Sequence, residues 1–145
     1  MRIALALLII LGSLSVGASE FDHIIKALAG QSNAIEQFAS ASKYFKGEGV
    51  PQNYKEAVRL YRASAEQGFA KAQFNLGVMH YNGEGTPQDY KKAHKWWNLA
   101  AANGHEEAKV YRDKVAEMMT TADISEAQQM ARDWMKAHPK GFNSS

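Results

Sequence analysis

Residues Tyr44–Lys55 read YFKGEGVPQNYK, and residues His80–Lys91 read HYNGEGTPQDYK. Each position lies 36 residues from its counterpart, as from Pro51 to Pro87. The register extends outward: Ala57 pairs with Ala93, Tyr61 with Trp97, Ala65 with Ala101, Gly68 with Gly104 and Ala72 with Ala108. A fixed period of this length marks a stacked repeat, in which each unit buries its apolar face against the next.

Local chemistry sets the content of one unit. Ala34–Lys46 carries helical apolar spacing and stops at Gly47-Glu48-Gly49, since glycine accepts the positive φ of a helix terminus. Pro51 keeps the chain extended, and Asn53 with Glu56 forms a box-like cap for a second helix that ends at Gly68. The second unit repeats this grammar: Ala70–Asn82, then Gly83-Glu84-Gly85 and Pro87, then a helix capped by Asp89 and ended by Gly104. A third unit keeps a helix over Glu106–Met119 but loses the glycine connector, and Thr120 caps a last helix whose apolar face is Ile124, Ala127, Met130, Ala131 and Trp134. Ahead of the repeats, Phe21–Ala29 reads as a short amphipathic helix closed by Gly30. Ala57, Ala65, Ala72, Ala93 and Ala101 mark close helix approaches, with Tyr61 and Trp97 filling the space beside them. Of the pair Trp96-Trp97, one ring is expected in the core and the other at a neighbouring repeat or the surface.

The expected fold is all-α, an α-solenoid of antiparallel helix pairs. Its organisation reads as a leader over 1–18, a short helix and linker over 19–31, repeats over 32–68 and 69–104, a degenerate capping repeat over 105–137 and a frayed polar tail over 138–145. The leader follows from Met1-Arg2, the apolar run Ile3–Leu11 and the small residues Val16-Gly17-Ala18, the layout of a secretory signal peptide cleaved before Ser19. That run is shorter than the roughly 20 residues a spanning helix needs. The simplest destination is the bacterial periplasm, with no membrane span after cleavage. Cysteine is absent, so an oxidising compartment would contribute no disulfide. Removing Arg2 leaves 16 basic against 15 acidic side chains, a mixed balance that offers no footprint for nucleic acid or an anionic membrane.

The residues Ala72–Gly77, Gly83-Glu84-Gly85, Pro87–Ala93 and Trp96–Gly104 closely resemble the Sel-1-like repeat, a helix-turn-helix family related to the tetratricopeptide repeat. The resemblance covers Ile35–Gly104 well and extends weakly to Trp134. It departs at His80, where the family usually has tyrosine, and at Ser40, where leucine is usual. It implies a right-handed solenoid that scaffolds protein complexes. In the related tetratricopeptide geometry the first helix of each pair lines a concave groove. Carried over, that groove presents Ile35, Phe38, Ser42 and Phe45, then Lys71, Phe74, Val78, Tyr81 and Asn82, extended by Lys114 and Glu117. The expected partner-binding set is Phe38, Phe45, Lys71, Phe74, Val78, Tyr81 and Asn82, suited to a partly apolar peptide or helix. The same aromatics, at helical spacing, equally suit a buried core.

Catalytic readings are weaker. Ser40-Ala41-Ser42-Lys43 matches the S-x-x-K nucleophile motif, but no Ser-Asp-Asn or Lys-Thr-Gly follows. The five histidines never pair on one helix face, so no metal or other cofactor is expected. The glycine pairs follow no strand and read as helix connectors. The resulting expectation is a periplasmic binder of another protein or peptide, an adaptor or regulator of an envelope complex rather than an enzyme. Its alternatives are an immunity-type inhibitor of a secreted toxin and a penicillin-interacting hydrolase using Ser40 and Lys43. Self-association by end-to-end stacking is also compatible with the repeats.

Overall fold

The structure, a computed structural model, describes residues 18–139. Residues 1–17 of the expected leader and 140–145 of the expected tail lie outside the described residues. The described residues form six helices: α1 (Ala18–Lys46), α2 (Tyr54–Glu66), α3 (Ala70–Asn82), α4 (Tyr90–Ala102), α5 (Glu107–Ala116) and α6 (Thr121–Ala137). The chain divides into two units between Ser32 and Asn33.

In the first unit, α1 carries Ile24, Ile25 and Leu28 in exposed positions. Gly30 does not close a helix, contrary to the sequence reading. Its φ is not positive, and α1 runs through it as one 29-residue element. A glycine inside a helix costs about 1 kcal/mol relative to alanine, too little to end one by itself.

The second unit is the repeat array. The Asn33–Lys46 part of α1 pairs with α2: Ser64 Oγ donates to the Ala34 carbonyl at 2.7 Å and Gln67 Nε2 to Gln37 Oε1 at 2.6 Å. One repeat later the equivalent pair is Asn103 Nδ2 on Gln73 Oε1 at 3.0 Å. Gln73 is wholly buried and also donates to the Ala65 carbonyl at 3.1 Å, fastening α3 to the preceding helix. Such a buried amide is tolerated because both its ends are hydrogen-bonded. Helices α2 and α3, α3 and α4, and α4 and α5 then pack in succession.

The glycine connectors are one structure used twice. Gly47 and Gly49 have φ of 72° and 76°, and Gly83 and Gly85 have 71° and 70°. The Gly47 and Glu48 amides donate to the Lys43 carbonyl, and those of Gly83 and Glu84 to the Met79 carbonyl. Gln52 Nε2 reaches the Phe45 carbonyl at 2.9 Å, and Gln88 Nε2 the Tyr81 carbonyl at 2.8 Å. These glutamines satisfy carbonyls that the helix end leaves open. Asn53, Asp89 and Thr120 cap α2, α4 and α6 by accepting from the Glu56, Lys92 and Asp123 amides at 3.1, 3.0 and 3.1 Å. Glu56 does not complete a reciprocal box, because its carboxylate is held by Arg59 at 2.6 Å.

Packing revises four details. Ala57, Ala65, Ala72 and Ala93 are fully buried, but Ala101 is half-buried and Ala100 takes the tight position beside it. Both Trp96 and Trp97 are core residues, 3% and 1% exposed. Trp97 Nε1 donates to the Phe74 carbonyl at 3.1 Å, whereas Trp96 meets Trp134 edge-on at 6.2 Å. The last helix does not simply pair with α5. It lays Ala127, Ala131 and Trp134 towards α4, and Trp134 Nε1 reaches Glu66 of α2 at 2.8 Å. His138 is not frayed, since its ring stacks on Trp134 at 4.0 Å and its Nδ1 lies 2.7 Å from the Trp134 carbonyl.

His80, standing where repeat one has Tyr44, is 1% exposed, and its Nδ1 is buried without a hydrogen-bond partner. Burial pushes its pKa from 6.5 down to about 4, helped by Lys92, Arg62 and Lys95 and opposed by Asp89. Burial lowers His94 as well, with Arg112 acting the same way and Asp113 against. Below pH 6.5 the unfolded chain takes up the His80 proton and the folded chain does not. His80 therefore stabilises the fold above that pH, and the contribution is lost as pH falls from 6.5 to about 4. The full loss is about 3 kcal/mol. Urea unfolding between pH 7.5 and 4.5 is expected to show this decline, and a flatter profile in His80→Gln checks its origin.

Candidate protein-interaction site

The first helices of repeats one and two stand side by side, and an open recess of about 550 Å³ lies between them. Phe38, Ser42, Phe45 and Lys46 of α1 form one wall, and Phe74, Asn75, Val78 and Met79 of α3 the other. Tyr61 of α2 forms the floor. The walls are held from behind. Phe38 meets Tyr61 at 5.7 Å and Phe69 edge-on at 5.3 Å, while Phe45 packs on Tyr54 at 5.3 Å. Such tilted and edge-on pairs hold rings in fixed orientations.

The floor is polar. The Tyr61 hydroxyl shares the lining with Asn75 and Ser42, and burial raises its pKa while those two polar neighbours pull it down. Tyr61 therefore stays a neutral hydroxyl at physiological pH. Lys46 brings a positive charge to the lining, with Glu48 3.9 Å from its Nζ. An apolar cavity with a few convergent polar groups, in the range of roughly 300–1,000 Å³, is the ordinary form of a ligand pocket.

Of the expected groove residues, Phe38, Phe45, Phe74 and Val78 meet in this recess, together with Ser42. Lys71, Tyr81 and Asn82 do not line it. Lys71 is exposed on the first turn of α3. Tyr81 instead stacks on Tyr90 at 5.3 Å, lies 5.8 Å from Trp97 and directs its hydroxyl to Met118 Sδ at 3.7 Å. Asn82 is exposed and bonds Glu84. Ile35, Lys114 and Glu117 are likewise exposed and outside the lining. Tyr61, Asn75, Met79 and Lys46 were missed. Tyr61 read as a filler between helices, and only the position opposite Ser42 and Asn75 gives its hydroxyl a role. The sequence signal available for Asn75 was its departure from repeat symmetry, because Tyr111 occupies the matching place.

Ser40 is half-buried and Lys43 exposed on α1, and neither lines the recess. Among the described residues, no three His, Cys, Asp or Glu side chains gather into a set that could hold a metal ion. No described helix is long and apolar enough to cross a membrane.

A helical repeat array with a recess between successive first helices defines an interaction scaffold by class. The chain carries two Sel1 repeats, over residues 37–69 and 70–105. Sel1 repeats generally mediate protein–protein interaction. A protective antigen of uropathogenic Escherichia coli strains, described as displaying an SLR fold, is similar at a TM-score of 0.70 and 26% identity. That match covers 74% of this chain and 23% of the antigen. A Sel1 repeat protein from Oxalobacter formigenes is similar at a TM-score of 0.59 and 36% identity, covering 73% of this chain and 44% of that one. The chain thus spans less than half the length of either solved structure. No curated protein matches its sequence.

Proposed function

We propose that this chain is a periplasmic adaptor or regulator that holds a segment of another protein in the recess between α1 and α3 and catalyses no reaction itself. The observation that carries this reading is the recess: aromatic walls fixed from behind, a floor with polar groups from Tyr61, Ser42 and Asn75, and a lysine at its edge. Apolar side chains of a bound peptide gain by leaving water there, and the floor and Lys46 orient polar groups beside them. The periplasmic part rests on the leader-like Met1–Ala18.

Site-specific photo-crosslinking in the native host tests both parts. A photoreactive residue at Asn75 is expected to capture a discrete partner in the periplasmic fraction. The same group at exposed Arg59 on α2 captures none. Crosslinks of equal strength from both positions would overturn the recess as the interaction site. Recovery of the chain only from the cytoplasm would overturn the location.

A further inference from the structure

The repeat contains its own template for what the recess holds. Shifting by 36 residues maps the walls Phe38 and Phe45 onto Phe74 and Tyr81, and the floor Tyr61 onto Trp97. The supports follow too. Phe38 packs on Phe69 as Phe74 stacks on His105 at 4.3 Å, and Phe45 packs on Tyr54 as Tyr81 packs on Tyr90. In the second frame Tyr111 of α5, itself 38% exposed, packs into the matching place, its ring edge-on to Phe74 at 5.1 Å and tilted against Trp97 at 5.4 Å. In the first frame that place belongs to Asn75, which is too short to fill it, and the recess remains. Aromatic walls at matching places, with one ring missing, outline the missing piece.

We propose that the recess is a docking pocket for a tyrosine side chain presented by a partner polypeptide, seated in the first repeat frame as Tyr111 is seated in the second. This assignment rests on the recess being the interaction site. The floor distinguishes tyrosine from other large apolar side chains. Trp97 spends its only donor on the Phe74 carbonyl. Tyr61, Ser42 and Asn75 instead bring two hydroxyls and an amide to the same recess, and this group has donor and acceptor capacity for a phenol. The recess volume of about 550 Å³ also leaves room for backbone on either side of the ring.

The test uses the isotope-labelled chain and three capped tripeptides, Gly-Tyr-Gly, Gly-Phe-Gly and Gly-Leu-Gly, titrated by amide NMR. The tyrosine peptide is expected to shift the amides of Ser42, Asn75 and Val78. It should bind about fivefold more tightly than the phenylalanine peptide, the fold-change of one net hydrogen bond. The leucine peptide should bind most weakly. Asn75→Tyr, which supplies the missing ring internally, is expected to raise the melting temperature and abolish binding of all three. Asn75→Leu adds less bulk and removes the amide, and should erase the preference for tyrosine over phenylalanine. Equal or tighter binding of the leucine peptide at the same amides would overturn the tyrosine assignment while leaving the recess as a binding site. No recess shift from any peptide would overturn both.

Discussion

Gly85→Ala is expected to destabilise the fold by about 3 kcal/mol, whereas Gly49→Ala, at the same place one repeat earlier, is expected to cost about 1 kcal/mol. Both glycines sit at left-handed φ, 70° and 76°, which disfavours any L side chain by a similar amount. Only Gly85 faces a neighbour. A methyl there would land on the Tyr54 carbonyl and 2.9 Å from the Lys55 nitrogen, whereas nothing lies within 4 Å of the equivalent point on Gly49. The obstacle is backbone at the start of α2, which cannot rotate away as a side-chain tip can. The second connector is thus wedged against the first turn of the preceding repeat's second helix, and the first connector has no such contact. Urea unfolding followed by circular dichroism measures both variants. Equal losses would mean that positive φ alone governs these positions and that the connector plays no part in stacking.

The second large effect concerns Trp97 and the glycine that admits it. Trp97→Ala is expected to cost about 4 kcal/mol, the usual range for emptying a buried tryptophan site. The ring is 1% exposed, bonds the Phe74 carbonyl at 3.1 Å and packs against Tyr81 and Tyr111. A methyl at Gly77 would lie 2.5 Å from Trp97 Nε1 and 2.7 Å from its Cδ1. Gly77→Ala is therefore expected to cost about 2 kcal/mol, the overpacking outweighing alanine's better helix propensity. Repeat one shows the compensated solution, with Ala41 and Tyr61 at the matching places, both buried. The double variant Gly77→Ala/Trp97→Tyr should then lose less than its two single variants together, by about 1 kcal/mol or more. Strict additivity in the same unfolding measurement would remove the steric link between the two positions.

These experiments probe a fold whose two full repeats were readable in the sequence. The 36-residue period, the caps Asn53, Asp89 and Thr120 and the two glycine stops all act over a few residues, so their chemistry is present in the order of the chain. Gly30 was misread for the same reason that Gly83 was read correctly. A glycine ends a helix only where the chain takes up a left-handed φ and the open carbonyls find donors, as the Gly83 and Glu84 amides supply at Met79. Gly30 has no such φ, and composition alone does not distinguish the two.

The candidate site divides along the same line. Phe38, Phe45, Phe74 and Val78 were legible because the first helix of each repeat faces the same way in every unit. Whether each becomes wall or core depends on what the next helix places opposite it. In the second frame α5 follows with Tyr111 against Phe74 and Trp97, and Met118 lies against the Tyr81 hydroxyl, whereas Phe38 and Phe45 border an open recess because α3 follows with Asn75. Periodicity along one chain specifies which face a residue occupies. Only packing between units, where a single short side chain leaves a space that a ring closes one repeat later, decides whether that face is filled or left open to a partner.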